Sequence, residues 1–392
     1  MFDRLAAPKQ DPILGVMELF RVDARADKVD LGVGVYKDDT GLTPVMRAVK
    51  GAERRLVDTQ DTKTYTSLVG DPAFHIAMAD LLLADTVPAA RIAAAAATGG
   101  TGAVRLGLEL IRAANPEATV FISAPTWPSH NTLTEKAGLR WTSYRYYDPE
   151  TGGIDRAGLW ADLDAAKPGD VVLLHGCCHN PTGAEFTPDD WQKMADFLNE
   201  RGLLPFVDIA YQGFGAGLDQ DAAGLRLLAR TQPRVLVAAS GAKNFGLYRE
   251  RAGITLVIGP EAERAPVSGT LAALNRASIS FPPDHGARII TTILTDDALR
   301  AEWEAELTEM RDRVNGLRRA LADALRDACG SDRFGFLADQ KGMFSVLGGS
   351  DDQITRLRDE FGVYIVGGGR LNMAGLTLQS VPKVAKAIAQ VL

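Results

Sequence analysis

Three short apolar runs decide the fold of this chain: Val171-Val172-Leu173-Leu174-His175, Leu203–Asp208 and Val235–Ser240. Each run is apolar on both faces, which is typical of a strand buried inside a parallel sheet. Amphipathic segments separate the runs, and this alternation predicts an α/β layer with a mostly parallel sheet. Ligands of such sheets bind at the carboxyl ends of the strands. The same patterns predict further strands at Val120–Ser123 and Ile254–Ile258, and helices at Ala103–Ala114, Pro188–Glu200 and Ala222–Arg230.

A long helix is predicted from Asp296 to Ala328, because its apolar positions recur every three or four residues and Gly330 follows as a stop signal. A helix of this length would join a central domain to a C-terminal one. We therefore predict an N-terminal arm with part of a small domain over residues 1–44, a large domain over 45–310 and a small C-terminal domain over 311–392.

Composition narrows the class of protein. The chain has 392 residues, 46% hydrophobic and 24% charged, which is typical of a globular protein and favours two domains. A net charge of −7 and the lack of a basic run disfavour a nucleic-acid partner. The first residues, Met1 to Leu5, lack the charged segment and following apolar core that are typical of a secretory signal. The apolar run Ile92–Ala97 is too short for a membrane span, so no membrane partner is expected.

The three cysteines include the adjacent pair Cys177 and Cys178, which cannot build a disulfide framework and favours a cytoplasmic location. His179 follows directly, but common zinc motifs separate their ligands by two or more residues. We expect no metal.

Lys243 follows the predicted strand Val235–Ser240, small residues surround it, and Arg251 lies eight positions later. Most lysines are solvated charges. A desolvated lysine near positive charge, however, can lose its proton and form a Schiff base with an aldehyde.

Asp208 stands at a strand end, three residues before Tyr211. The simpler interpretation is a helix cap with a core tyrosine. The alternative is a carboxylate that keeps a heterocyclic nitrogen protonated, which pyridoxal phosphate requires.

Glycine turns occur at Gly99-Gly100 before a predicted helix and at Gly32-Val33-Gly34. The first suits a phosphate at a helix N-terminus, and a turn without a ligand is equally common. Neither completes a nucleotide-binding motif.

Three further residues are ambiguous by themselves. Trp127 between prolines is a core residue or a stacking platform, Asn180 is a turn residue or a ligand, and Arg370 is a surface charge or a carboxylate clamp.

Together these segments resemble the aspartate and aromatic amino acid aminotransferases, fold-type I enzymes that depend on pyridoxal phosphate. The resemblance runs from Asp11 to Gly375 and is most specific over 175–183 and 243–251. It implies a large domain with a mostly parallel, seven-stranded mixed sheet between helices and a smaller α/β domain.

The resemblance assigns catalytic roles to Lys243, Asp208 and Tyr211. Lys243 would bind the cofactor covalently and later shuttle a proton at the substrate α-carbon. Asp208 would pair with the ring nitrogen, with His130 orienting it from behind. Tyr211 and Asn180 would bond the phenolic oxygen of the ring.

The same resemblance implies that Trp127 stacks on the ring. It also implies a phosphate site, formed by Gly100, Thr101, Ser240, Arg251 and, from the neighbouring subunit, Tyr65.

Substrate contacts are implied as well. Arg370 would clamp the α-carboxylate, with Gly34, Trp127 and Asn180 around it, and Arg276 would cross a homodimer interface to receive a side-chain carboxylate.

The chain departs from the family pattern at Ala242, where many relatives have serine, and at Ile279 and Phe281. The apolar Phe281 beside Arg276 predicts a dual substrate range, with aspartate, glutamate and 2-oxoglutarate bound through Arg276 and aromatic amino acids accepted when that arginine swings aside. Three alternatives stay open: a strict aspartate aminotransferase, a lyase or decarboxylase with the same cofactor, and a nicotinamide dehydrogenase or nucleotide-binding module that uses the glycine turns.

Overall fold

The computed structural model describes residues 2–5 and 12–392. Its strands are β1 Val29–Asp30, β2 Ile92–Thr98, β3 Thr119–Ala124, β4 Arg140–Arg145, β5 Tyr147–Asp148, β6 Gly153–Ile154, β7 Val171–His175, β8 Leu204–Ile209, β9 Val235–Ser240, β10 Ala252–Ile258, β11 Phe344–Val346, β12 Val363–Tyr364 and β13 Arg370–Asn372. Its α-helices are α1 Pro12–Val22, α2 Arg47–Thr59, α3 Pro72–Leu83, α4 Gly99–Ala114, α5 Ser129–Lys136, α6 Arg156–Leu163, α7 Pro188–Arg201, α8 Leu218–Thr231, α9 Glu261–Ser278, α10 His285–Leu294, α11 Asp297–Cys329, α12 Phe336–Asp339, α13 Asp351–Phe361 and α14 Val381–Val391.

The central sheet has seven strands in the order β2-β10-β9-β8-β7-β3-β4. Only β10 runs against its neighbours, and the remaining pairs are parallel. The predicted α/β fold with a mostly parallel, seven-stranded mixed sheet is therefore confirmed. Register aligns His175 with Asp208 and Asp208 with Ala238. The chemically active ends of β7, β8 and β9 consequently meet at one edge of the sheet.

Two strands of this sheet were not predicted. β2 is almost entirely alanine, a residue of low strand propensity, and becomes a strand because it pairs along its whole length with β10, from Thr98↔Ala252 to Ile92↔Ile258. β4 lies at the sheet edge and is mostly exposed, so its sequence carries no apolar run. Both strands depend on partners that are distant in sequence.

The long predicted helix is confirmed as α11. The Asp296 side chain accepts a hydrogen bond from the Leu299 amide at its start, and Gly330 ends it in the left-handed conformation at φ 63°. Its buried face packs against α2, α10 and α14. None of the helices in the described residues combines the length and apolar content needed to cross a lipid bilayer. The limits 1–44, 45–310 and 311–392 stay a prediction.

The N-terminal segment joins the C-terminal part of the chain. β1 pairs in parallel with β12, and β11 pairs with β13. Asn372 in β13 donates hydrogen bonds to the carbonyls of Val33 at 2.6 Å and Val35 at 2.8 Å, which fixes the loop around Gly34.

Glu306 of α11 caps the N-terminus of α2. Its two carboxylate oxygens accept hydrogen bonds from the Arg47 and Ala48 amides at 2.8 and 3.1 Å, and α2 has no side-chain cap of its own. We predict that Glu306→Ala lowers the free energy of unfolding by about 1–3 kcal/mol, because buried amides lose their acceptors. Chemical denaturation measures this effect. Glu309→Ala, an exposed position on the same helix, is the control, and equal stability of the two variants would contradict the capping role.

Candidate active site

A cleft opens at the carboxyl ends of the central strands. Nine of the residues predicted from the sequence to bind cofactor or substrate line this cleft, although they are spread from Gly100 to Arg251. The lining comprises Gly100, Thr101, Trp127, Asn180, Asp208, Tyr211, Ser240, Lys243 and Arg251, together with His175, Cys177, Ala210 and Ala242.

Lys243 lies just beyond β9 and is largely buried. Burial lowers the pKa of its amine, Asp208 opposes this shift and the Arg251 guanidinium adds to it. The amine stands 5.3 Å from the centre of the Tyr211 ring. The next residue is anchored on α11, because the Trp303 indole donates to the Asn244 carbonyl at 2.7 Å. The backbone beside Lys243 is therefore anchored, and the lowered pKa favours the unprotonated amine.

Asp208 presents one carboxylate oxygen to the protein and the other to the cleft. Its Oδ2 lies 3.0 Å from His130 Nε2, and His130 is fully buried. Within the described chain, its buried Oδ1 has no hydrogen-bond partner. A buried carboxylate oxygen is costly without a donor. This oxygen therefore fits a ligand that brings a ring N–H.

Two residues behind His130 were not selected from the sequence. The Thr126 hydroxyl lies 2.8 Å from His130 Nδ1 and 3.2 Å from His175 Nε2. The first contact is local, four residues apart, whereas the second joins the loop after β3 to the end of β7. His175 was visible in the 175–183 motif, but only the register of β7 against β8 places it beside Asp208.

A glycine turn, Ser240 and Arg251 meet where α4 begins. Gly99 has φ +67°, and a Cβ there would lie 2.4 Å from Arg251 Nη2. Gly100 faces Ser240, whose hydroxyl accepts from the Ala242 amide at 3.1 Å. The amides at the start of a helix and a guanidinium suit a phosphate group.

Arg370 in β13 and Gly34 in the N-terminal segment lie against the same aromatic ring. The Arg370 guanidinium lies over the Phe344 ring at 4.6 Å, and a Cβ at Gly34 would meet the same ring at 2.8 Å. The Tyr211 ring meets Phe344 edge-on, with ring centres 6.1 Å apart. The Phe344 ring thus contacts Arg370, Gly34 and Tyr211. No feature of the sequence around Phe344 indicated a position at the site.

Tyr65 and Arg276 lie outside the cleft within one chain. The Tyr65 ring is 77% exposed and stacks on Phe281 at 4.5 Å. Arg276 lies 5.9 Å from the Phe281 ring and donates to the Ser280 hydroxyl at 2.7 Å. The two residues predicted for an interface, Tyr65 and Arg276, therefore both lie against Phe281.

Cys177, Cys178 and Asp221 bring their possible ligand atoms within 4.8 Å of one another. Asp221 already accepts hydrogen bonds from the Gly213, Gly215 and Ala216 amides. Burial raises the pKa of the Cys178 thiol to about 12, which disfavours the thiolate that binds metals. That no metal binds stays a prediction.

Known proteins of similar sequence and structure are aminotransferases. The family model for aminotransferase class I and II matches residues 26–388. The aromatic-amino-acid aminotransferase of Paracoccus denitrificans is 52% identical, and the aspartate aminotransferase of Salmonella typhi is 44% identical, each over the whole of both chains. A solved aromatic-amino-acid aminotransferase from Burkholderia pseudomallei, covalently bound to pyridoxal phosphate, superposes with a TM-score of 0.97 at 41% identity, covering 100% of this chain and 99% of that one.

His179 generates a prediction on acid stability. Burial, aided by the nearby His175 and His130, lowers its pKa well below the usual range. The folded chain therefore keeps this imidazole neutral, whereas the unfolded chain takes up a proton near pH 6.5. Stability should fall as the pH drops below about 6.5, with a slope of up to about 1.4 kcal/mol per pH unit from this residue.

Urea unfolding between about pH 7.5 and 5 measures that slope. His179→Gln should flatten it, while His285→Gln, at an exposed position, should not. An unchanged slope in His179→Gln would refute the assignment.

Proposed function

The chain belongs to the aminotransferase class I and II family, and from this we propose a transaminase of dual range that moves amino groups from aromatic amino acids and aspartate to 2-oxoglutarate. The protein is an aminotransferase, and its cofactor is pyridoxal 5'-phosphate. The dual range, the acceptor and the roles of individual residues are the parts proposed here. The observation that carries the dual range is Arg276 resting against the Phe281 ring.

The residues of the cleft fit the cofactor. Asp208 Oδ1, which has no hydrogen-bond partner in the part of the chain that the structure describes, matches a ring N–H, and the cradle of Gly99, Gly100, Ser240 and Arg251 matches a phosphate. When bound, pyridoxal phosphate supplies an aldehyde for the amino group and a ring that withdraws electrons from the substrate α-carbon.

Lys243 supplies the amine that holds the cofactor, since its lowered pKa favours the nucleophilic form. With the substrate bound, Lys243 Nζ would be the base that takes the proton from the substrate α-carbon. As an ammonium, it would be the acid that gives a proton back to that carbon when the amino group moves in the opposite direction. Asp208 keeps a proton on the ring nitrogen, and His130 holds the carboxylate in place. The Tyr211 hydroxyl stays protonated because burial raises its pKa, so it can donate to an oxygen anion beside Asn180. Trp127 offers a ring face for stacking.

Arg370 binds the α-carboxylate, because a guanidinium fork holds a carboxylate through two parallel hydrogen bonds. Gly34, Trp127 and Asn180 border the same space. The α-carboxylate is common to every substrate of this range. Arg370 therefore contributes to the affinity for all of them and does not discriminate between them.

The remaining residues require a second subunit. Tyr65 and Arg276 are exposed and lie outside the cleft of their own chain, which supports a homodimer in which each serves the partner's site. Arg276 would receive a side-chain carboxylate and leave when an aromatic side chain enters. A cytoplasmic location belongs to the same proposal and is supported by three cysteines that all remain free thiols.

The nearer alternative is an aspartate aminotransferase with strict dicarboxylate preference, which the Salmonella typhi relative supports. A lyase with the same cofactor would release ammonia. Conversion of an amino donor to its 2-oxo acid without ammonia release excludes it.

Lys243→Ala should keep the fold and lose transamination by at least about 10²–10⁴-fold, because both the covalent anchor and the proton carrier disappear. Turnover assays and circular dichroism measure the two effects. Lys136→Ala, at an exposed position, is the control. In the parent enzyme, borohydride should fix the cofactor to Lys243, and substantial activity in Lys243→Ala would move the catalytic role to another residue.

Phe281→Asn should lower kcat/KM for phenylalanine relative to aspartate by about tenfold, since a hydrophobic contact contributes discrimination of this order. The measurement compares aspartate, phenylalanine, tyrosine and tryptophan, each with 2-oxoglutarate. Phe281→Leu keeps an apolar side chain and serves as the matched control. A parent enzyme that turns over no aromatic substrate would reject the dual range and favour the strict aspartate enzyme.

A further inference from the structure

Arg318 is a charged side chain in the middle of α11 with no exposed surface. Burial lowers the pKa of its guanidinium to about 10, which still leaves a cation at neutral pH. A buried charge is costly unless its donors are satisfied. The hydrogen-bond acceptors of Arg318 therefore indicate the role of this buried cation.

In the described part of the chain, all the hydrogen bonds of Arg318 go to neutral oxygens of residues 337–345. Its Nε and Nη2 donate to the Gly342 carbonyl at 3.1 and 2.8 Å. The other acceptors are the carbonyls of Leu337 at 3.3 Å, Lys341 at 3.2 Å and Phe344 at 2.5 Å, and the Ser345 hydroxyl at 2.7 Å. Only a planar fork of five donors reaches acceptors spread in this way, so lysine cannot replace it.

One side of this segment supports the loop that carries Asn180. The Lys341 amide donates to the Gly183 carbonyl at 2.8 Å. A Cβ at Gly342 would lie 2.3 Å from Cys178 Cβ, and one at Gly183 would lie 2.5 Å from the Phe344 carbonyl oxygen. The two backbones are thus in direct contact, two to three residues from Asn180.

The other side supports the arginine predicted to bind the α-carboxylate. Phe344 and Val346 in β11 pair with Asn372 and Arg370 in β13. The Arg370 guanidinium lies on the Phe344 ring, whose backbone carbonyl is an Arg318 acceptor. A shift of Phe344 therefore moves the surface on which Arg370 rests.

We propose that Arg318 is a positioning residue for the α-carboxylate site: by gathering the backbone of residues 341–345, it fixes the spacing between Arg370 and the Asn180 loop. This inference rests on the proposed function, since it takes Arg370 as the carboxylate ligand. It assigns Arg318 an effect on every substrate with an α-carboxylate, whatever its side chain.

The test compares Arg318→Lys, which keeps the charge and loses the fork, with Arg319→Lys at the exposed neighbouring position. With cofactor bound, KM for aspartate and for phenylalanine should rise together by about tenfold or more in Arg318→Lys, because misplacing a binding group weakens binding steeply. The Kd of 3-phenylpropionate, which carries a carboxylate and no amino group, should rise by the same factor. Affinity for pyridoxal phosphate should stay within about twofold, since the Asp208 and Arg251 contacts are unaffected.

Arg318→Lys with unchanged KM and 3-phenylpropionate binding would overturn the proposal. So would a parallel loss of cofactor affinity and thermal stability without a selective loss of carboxylate binding, because that is the effect of a purely structural residue. If Arg318→Lys does not fold, Ser345→Ala decides, since it removes one acceptor and should raise the same KM values to a smaller extent. A parent enzyme that transaminates neither substrate would reject the proposed function and leave 3-phenylpropionate binding as the test of Arg318.

Discussion

The Asp208 carboxylate is the interaction on which the site depends. It is buried, bonded to His130 through one oxygen, and open to the cleft through the other. Such a group is stable in a protein interior only when donors surround it. Among residues 2–5 and 12–392, His130 contacts one oxygen, and the ring nitrogen of the cofactor is suited to donate to the other.

The parallel sheet makes this arrangement possible. Its register brings the ends of β7, β8 and β9 together, so that His175, Asp208 and Ser240 lie at one edge although they are far apart in sequence. The single antiparallel strand, β10, begins at the same edge and carries Arg251 to the start of α4. A side chain at Gly99 would close the space between them, which explains the glycine there.

The C-terminal part of the chain adds what the sheet lacks. Hydrogen bonds from Asn372 fix the loop of Gly34, and pairing between β11 and β13 places Arg370 on the Phe344 ring. The buried Arg318 donates hydrogen bonds to the backbone carbonyls of Lys341, Gly342 and Phe344, next to and within β11. The cofactor cleft and the predicted carboxylate site are therefore joined by backbone contacts through residues 341–346.

The sequence by itself determined the α/β class, the long helix with its Asp296 and Gly330 ends, and most residues of the cleft. These features are local: apolar runs, helix periodicity and short motifs such as 243–251 carry them. Tertiary structure alone decided that the alanine-rich β2 is a strand, that Thr126 and His175 stand behind Asp208, and that Phe344 and Arg318 link Arg370 to the cleft. The reason is that each of these depends on pairing or packing between segments far apart in the chain, and no property of one segment records its distant partner.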